Sequence, residues 1–329
     1  ADQLNNCENQ TQLNQVIGQH HAKRALEISA SGGHNLLFFG PPGTGKTMLA
    51  SRLPGILPPL NNQQALEVAS IYSVAGKGLR QSIWARPFRA PHHTASSAAL
   101  VGGGSSPRPG EISLAHQGVL FLDELPEFRP SAIDALRQPL EDCNVTISRS
   151  AGKITLPCAF MLVAAMNPCP CGWFGDSSGR CRCNPDAIER YRGKLSGPLL
   201  DRIDIHLAMT RLSHEELHLN APLGEPSSVI RQRVIAARAL QMQRSGVSNA
   251  HLSQADLKTH CQLNSGNQEL LDKAMNALQL SARATYRILR VARTIADLAA
   301  SPTIGTPHLA EAIQYRQLDR ALSVPKRRS

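Results

Sequence analysis

Aromatic side chains are scarce: Phe, Trp and Tyr make up 4% of the 329 residues. A surface that stacks successive bases needs more rings, so stacking is a poor candidate for the main binding mode. Acidic residues are in deficit, 25 against 35 Lys and Arg, which leaves a net charge of +10. That balance suits a polyanionic partner, although a nucleotide pocket uses part of it and a basic surface can exist without any partner. No apolar run approaches the roughly 20 residues needed to span a membrane. No secretory signal is visible, and the chain reads as cytoplasmic. It opens on Ala1 rather than Met, as a piece of a longer protein would. What is plentiful is core material. Hydrophobic residues make up 42% of the chain, enough for one large or two medium globular domains.

The most informative stretch is Gly40-Pro41-Pro42-Gly43-Thr44-Gly45-Lys46-Thr47. It follows a short apolar run, Asn35 to Phe39, and leads into a helical pattern, Thr47 to Leu53. Strand, glycine-rich loop and helix in that order form a phosphate-binding loop. Glycines let backbone N–H groups turn inward on phosphate oxygens, and the helix N-terminus adds its positive end. Lys46 can reach the β and γ phosphates of ATP, and Thr47 can place its hydroxyl on Mg²⁺. Met48, just past the loop, is a further nucleotide contact. Upstream, Val16 to Gln19 precedes a helix from His20 to about Ala30. In folds of this kind that segment, with Ile17, often lines the adenine; it can also simply open the helix.

The second anchor is Gly118-Val119-Leu120-Phe121-Leu122-Asp123-Glu124. Four apolar residues ending in two carboxylates form a buried parallel strand. Asp123 can hold Mg²⁺, and Glu124 can take a proton from the attacking water. A second apolar strand, Ala159 to Ala165, ends at Met166-Asn167, where a polar amide would sit beside Asp123 and orient water.

Between these anchors lies Arg80 to Pro109, part of an insert over about 79–109. It is rich in Pro and Gly and holds His92 and His93. It is expected to be a loop or short hairpin inserted into a helix, too broken for a core element. Helices are expected over 61–73 and 130–142. Residues 144–157 alternate like a β-hairpin with a Gly-containing turn. Arg149 and Lys153 in that turn suit a DNA backbone, or a solvated turn.

Eight cysteines in a cytoplasmic chain argue against disulfides. Cys169-Pro-Cys171 and Cys181-Arg-Cys183 make two close pairs, the donor set of a structural Zn²⁺ site with no open position, or four free thiols. Cys143 and Cys158 read as buried thiols. Arg202, in Leu195 to Asp204, sits where an oligomeric ATPase projects a cation into its neighbour's site; an intrachain ion pair is the alternative. Beyond about Arg211 the pattern is helical. Ser227 is placed to cap a helix to about Arg244, and Ser253 to Asp256 forms a capping box. Arg283, Arg287, Arg290 and Arg293 fall on one helical stripe, solvated or facing the nucleotide domain, with Arg283 able to reach phosphate.

The fold expected is an α/β AAA+ P-loop ATPase core over 16–210, after a lead-in at 1–15, followed by an α-helical lid domain over 211–329. The chain resembles the YifB/ComM family of Mg-chelatase-like bacterial proteins. That family stands within the AAA+ branch that includes magnesium chelatase subunits and MCM helicases. The resemblance rests on Gly18-Gln19, Ala22-Lys-Arg-Ala-Leu26, Gly33-His-Asn-Leu36, Arg86-Pro-Phe-Arg-Ala-Pro-His-His-Thr94, Asn167-Pro-Cys-Pro-Cys-Gly172, Ser196-Gly-Pro-Leu-Leu-Asp-Arg202 and Ser281-Ala-Arg283, nearly the whole chain. It implies a hexameric ring and, in the competence branch, a DNA helicase driving branch migration while incoming DNA recombines in natural transformation. By motif match it makes Lys46 and Thr47 Walker A, Asp123 and Glu124 Walker B, Asn167 sensor 1, Arg202 the arginine finger and Arg283 sensor 2. Arg149 and Lys153 match the hairpin that faces DNA, whether single-stranded, forked or branched. A chelatase-like ATPase remodelling a protein partner is the alternative. Family members also carry an N-terminal domain resembling part of Lon protease, which these residues do not include.

Overall fold

The computed structural model describes residues 12–78, 82–103, 108–149, 152–176, 178–212 and 224–316. Its strands are β1 (Leu36–Phe39), β2 (Phe88–Arg89), β3 (Gly102–Gly103), β4 (Arg108–Pro109), β5 (Val119–Leu122), β6 (Asn144–Arg149), β7 (Gly152–Pro157), β8 (Met161–Met166) and β9 (Ile205–Ala208). Five of them form a parallel sheet in the order β2-β5-β8-β1-β9. β8 is therefore central with β5 and β1 on either side of it, and the polar residues that follow β1, β5 and β8 meet at one edge. Ligands of open α/β sheets bind at this carboxyl edge.

Strand period explains how one sheet supports two cores. Leu36 and Phe38 of β1 face a core shared with helix His20–Gly32 and the C-terminal helices, while Leu37 faces the opposite core with Leu120, Leu122, Leu162 and Ala164. All of these are buried on both faces, as the near-continuous apolar runs require. Helices Ser227–Ser245 and Ala282–Leu298 pack against helix His20–Gly32, so the helical region and the sheet share one apolar interior. A buried polar cluster joins the same elements. Asp204, just before β9, accepts from Arg287 Nη1 at 2.6 Å and from the Asn35 backbone N–H at 2.9 Å. His34 Nε2 lies 2.7 Å from Thr294 Oγ1.

Several expectations need correction. The insert is not all loop: Phe88–Arg89 is the edge strand of the main sheet, paired with β5. Prolines on either side kept it to two residues and hid any alternation. The rest of the described insert holds helix Ser97–Val101 and the hairpin β3–β4. The helix expected over 130–142 is two, Pro130–Asp134 and Pro139–Asp142, because Pro139 lacks the N–H that would continue the first. Helix Ser227–Ser245 is capped at Pro226; the buried Ser227 hydroxyl instead accepts from the Leu13 backbone N–H at 2.8 Å. The arginines of helix Ala282–Leu298 are not a solvated stripe. Arg287 binds Asp204, Arg290 binds the Leu252 carbonyl, and the buried Arg293 binds Asp297 and two loop carbonyls. The capping box at Ser253 and Asp256 is present.

Candidate active site

The phosphate loop turns through Gly43 and Gly45 at φ +80° and +86°, left-handed conformations that a side chain would strain. Helix Lys46–Ala50 starts directly after. Lys46 is 8% exposed. Its Nζ donates to the carbonyls of Gly40 (2.7 Å) and Pro41 (2.9 Å) and to Asn167 Oδ1 (3.1 Å). Burial lowers its pKa to about 8 against the opposing pull of Asp123 and Glu124. Thr47 Oγ1 donates to Asp123 Oδ2 at 2.6 Å. A hydroxyl and a carboxylate thus converge where a Mg²⁺ ion bridging phosphates needs them. The sheet order brings together Lys46, Thr47, Asp123, Glu124 and Asn167 from three neighbouring strands, as the sequence reading anticipates.

Met48 is 48% exposed and Ile17 38% exposed. The Ile17 segment is fastened near the phosphate-loop edge of the sheet, since Gln19 Nε2 donates to the carbonyl of Thr210, just beyond β9.

Arg202 and Arg283 are not part of this cluster. Arg202 precedes β9, and its own carbonyl accepts from Asn35 Nδ2 at the start of β1. Its guanidinium pairs with Glu141 at 2.6 Å and donates to the Pro198 carbonyl at 2.6 Å. Within the chain, then, the ion-pair alternative describes Arg202. Arg283 lines a cavity of about 350 Å³ together with Asn35, Glu141, Phe160, Asp204 and Arg287. Asn35, Phe160 and Asp204 all precede strands. Both arginines therefore lie at the amino edge of the sheet, with the length of β1 between them and their own phosphate loop.

Cys169, Cys171, Cys181 and Cys183 bring their sulfurs within 4.8 Å of one another. Cys169 lies 3.8 Å and Cys171 3.7 Å from Cys181. A tetrahedral zinc with bonds of about 2.3 Å separates its sulfurs by about 3.8 Å, so the donor set fits. The Trp173 backbone N–H draws the Cys171 pKa down, while the neighbouring thiols raise those of Cys181 and Cys183. This loop abuts the active site. Gly172, at φ +84°, has no room for a side chain, because an added Cβ would lie 2.8 Å from Pro42 of the phosphate loop. Arg192 sits over the rings of Phe39 and Phe174, joining the end of β1 to the same loop. Cys158 is buried and its thiol is pushed up to about 12 by burial, while Cys143 is half-buried.

The hairpin β6–β7 pairs as far as Arg149 with Gly152, which places Arg149 and Lys153 on strands beside the tip rather than in the turn itself. Their side chains, and residues Ser150 and Ala151, lie outside what is described. One contact is absent from the sequence reading. His93 Nδ1 of the insert lies 3.3 Å from Glu124 Oε2, and both histidines line a cavity of about 290 Å³ with Thr47, Phe88, Asp123 and Glu124.

A phosphate loop after β1, a hydroxyl–carboxylate pair, a polar sensor after the neighbouring strand β8, an acid after the next strand β5 and a C-terminal helical region define a P-loop ATPase of the AAA+ class. The family model described as "Magnesium chelatase, subunit ChlI" matches residues 12–217, and "Magnesium chelatase, subunit ChlI C-terminal" matches residues 224–316. The chain belongs to this Mg-chelatase-like AAA+ family, in the group that includes the ComM and YifB proteins. It is 52% identical over 315 residues to "Competence protein ComM" of Haemophilus influenzae, covering 95% of this chain and 62% of that protein. It is 50% identical over 314 residues to "Uncharacterized protein YifB" of Escherichia coli, covering 95% and 62%. It is 23% identical over 316 residues to "DNA replication licensing factor mcm7-B" of Xenopus laevis, covering 93% and 39%. The chain thus spans about three-fifths of the length of the first two relatives. Membership implies ATP and Mg²⁺ and supports ATP hydrolysis. No helix among the described residues is long and apolar enough to cross a membrane.

Proposed function

We propose that this chain is the motor of a cytoplasmic, ring-forming ATP hydrolase, hexameric in the assembled protein. We propose further that it translocates on DNA as a helicase, promoting branch migration while incoming DNA recombines in natural transformation. The motor comprises an AAA+ unit over 16–210 and a helical lid over 211–329. The observation that carries the reading is the division of the catalytic set between two edges of the sheet. Lys46, Thr47, Asp123, Glu124 and Asn167 gather at the carboxyl edge, whereas Arg202 and Arg283 stand at the amino edge. Both arginines lie at the edge of the sheet opposite their own phosphate loop, a placement that suits a nucleotide held by an adjacent copy.

In this reading, backbone N–H groups of Gly43 to Lys46 cradle the phosphates and Lys46 bridges to the γ-phosphoryl. Thr47 and Asp123 would hold Mg²⁺, which neutralises phosphate charge. Glu124 accepts the water proton and Asn167 orients the water. Arg202 and Arg283 stabilise the transferring phosphoryl from the neighbouring chain, with Glu141 released from Arg202 on docking. Ile17 and Met48 offer apolar contacts to the base. Cys169, Cys171, Cys181 and Cys183 hold a structural Zn²⁺. The net charge of +10 and the placement of Arg149 and Lys153 near the end of hairpin β6–β7 support a DNA partner, as do relatives whose names mention competence and DNA replication. The match to a chelatase subunit favours a second reading, remodelling of a protein partner. DNA-stimulated turnover that falls steeply with salt separates the two, because phosphate contacts release counterions.

Glu124→Gln tests the chemistry. It should bind ATP as the wild type does and lose hydrolysis by about 10²–10⁴-fold, the range of a general base. Measured turnover at the wild-type rate would remove Glu124 from that role.

A further inference from the structure

We propose that His93 is a positioning residue for Glu124: the Pro-rich insert supplies an imidazole that aims the catalytic carboxylate. The proposal rests on the reading above, that Glu124 is the base of an ATP hydrolase. Three observations carry it. The first is register. Arg89 of β2 pairs with Leu120 of β5 in parallel, and His93 follows Arg89 by the same number of residues as Glu124 follows Leu120. The edge strand is therefore set so that its continuation arrives beside the base.

The second is that Glu124 is poorly held by its own segment. It leaves β5 with φ 51°, left-handed for a non-glycine residue. Its side chain is half exposed, and the ion-pair contact to its carboxylate is His93 Nδ1 at 3.3 Å. Its backbone N–H is already committed to Asp123 Oδ1 at 2.9 Å. The contact is of ion-pair range, and because a carboxylate accepts only, Nδ1 is the group that donates as the pair tightens. One oxygen held by His93 then leaves the other free to take a proton from water.

The third is that His93 is mounted firmly. Its ring lies against that of His92, centroids 4.1 Å apart, and His92 Nδ1 is 2.9 Å from Thr94 Oγ1. Behind them Arg89 makes a two-pronged pair with Glu111, at 2.6 and 2.8 Å, and Arg86 donates to the carbonyls of Pro58 and Gln117. The insert is thus braced on the sheet, not merely draped over it.

The test compares wild type, Glu124→Gln, His93→Ala and His93→Asn in the full-length assembled protein, reading ATP turnover, KM and equilibrium nucleotide affinity, with thermal melting to confirm folding. Asn can present an amide N–H close to where His offers Nδ1. Loss of alignment costs about 10²-fold, so His93→Ala should lower kcat by about 10- to 100-fold while KM and nucleotide affinity change less than threefold. His93→Asn should recover most of the loss. The proposal is overturned if His93→Ala turns over within twofold of wild type, if its defect lies in affinity, or if His93→Asn is as impaired as His93→Ala. The companion variant keeps the failures apart. If wild type does not hydrolyse ATP, or Glu124→Gln does so freely, the underlying functional reading fails. If Glu124→Gln stalls and His93→Ala does not, only the role of His93 fails.

Discussion

Lys46 holds its ammonium in a buried position between two carbonyls and an amide, with its pKa brought down to about 8 by burial. A bound triphosphate supplies the anion that restores full protonation. Below pH 8 the free site is already charged, and binding costs no proton. Above it, binding must take up a proton, so affinity should fall by up to about tenfold per pH unit. Calorimetry in two buffers of different ionisation enthalpy should detect uptake approaching one proton near pH 9, and Lys46→Arg should abolish it. Binding without proton uptake at that pH would contradict the assignment. For folding the sign is opposite. The unfolded chain binds this proton more tightly, so the contribution of Lys46 to stability improves as pH rises from about 8 towards the free-lysine value near 10.4.

At the scale of elements, Asp204 joins β1, β9 and helix Ala282–Leu298. Burial alone would raise its pKa, but Arg287 and His34 overcome that and hold the carboxyl far below the usual range. The stability this contributes is fully present above the unfolded value near 4 and is lost as pH falls below it. Asp204→Asn leaves Arg287 without its charge partner and should cost about 3 kcal/mol, the low end for breaking a buried pair. Denaturant unfolding would measure it, and the acid limb of the melting profile should flatten in the variant. The cysteine loop gives a second test. With Gly172 pressed on Pro42, loss of the metal should loosen both the phosphate loop and Asn167. Cys181→Ser should lower zinc, quantified by mass spectrometry, from about one per chain and weaken nucleotide binding, read by fluorescence titration. Stoichiometric zinc in the variant would argue against this ligand set. Elements also explain what was legible in the chain. Asp123, Glu124 and Asn167 directly follow apolar strands and Lys46 closes the glycine-rich loop after a third, and parallel strands place their ends together whatever lies between. Phe88–Arg89 is too short to show a period, so neither the edge strand nor the pairing of His93 with Glu124 could be read. An intrachain ion pair for Arg202 is open from the sequence, but not its partner Glu141, which depends on how distant segments lie at the far edge of the sheet. The arginine spacing in Ala282–Leu298 is real, but tertiary partners divide it among the sheet, a loop and Asp297.

For the molecule as a whole, two arginines stand an entire strand length from the phosphate loop of their own chain, and the proposed subunit boundary would give them a nucleotide to serve. Arg202 is 12% exposed along its side chain and paired with the more exposed Glu141, an arrangement a docking neighbour can exchange without unfolding anything. A cation supplied in trans is worth roughly 10³–10⁵ in rate in related phosphoryl transfers. Arg202→Ala in every subunit should therefore suppress ATP turnover to that extent while leaving nucleotide affinity nearly intact, and Lys46→Ala in every subunit should suppress it by removing the site itself. Mixing the two variants under assembling conditions sets intact phosphate loops, contributed by Arg202→Ala chains, against intact arginines on Lys46→Ala chains. Some interfaces then hold a complete site, and turnover should reappear, peaking near equal proportions and vanishing on dilution to monomers. Activity that never exceeds the sum of the separate variants at any ratio, with co-assembly verified by mass, would mean that Arg202 serves its own chain through Glu141 and that the site is not shared.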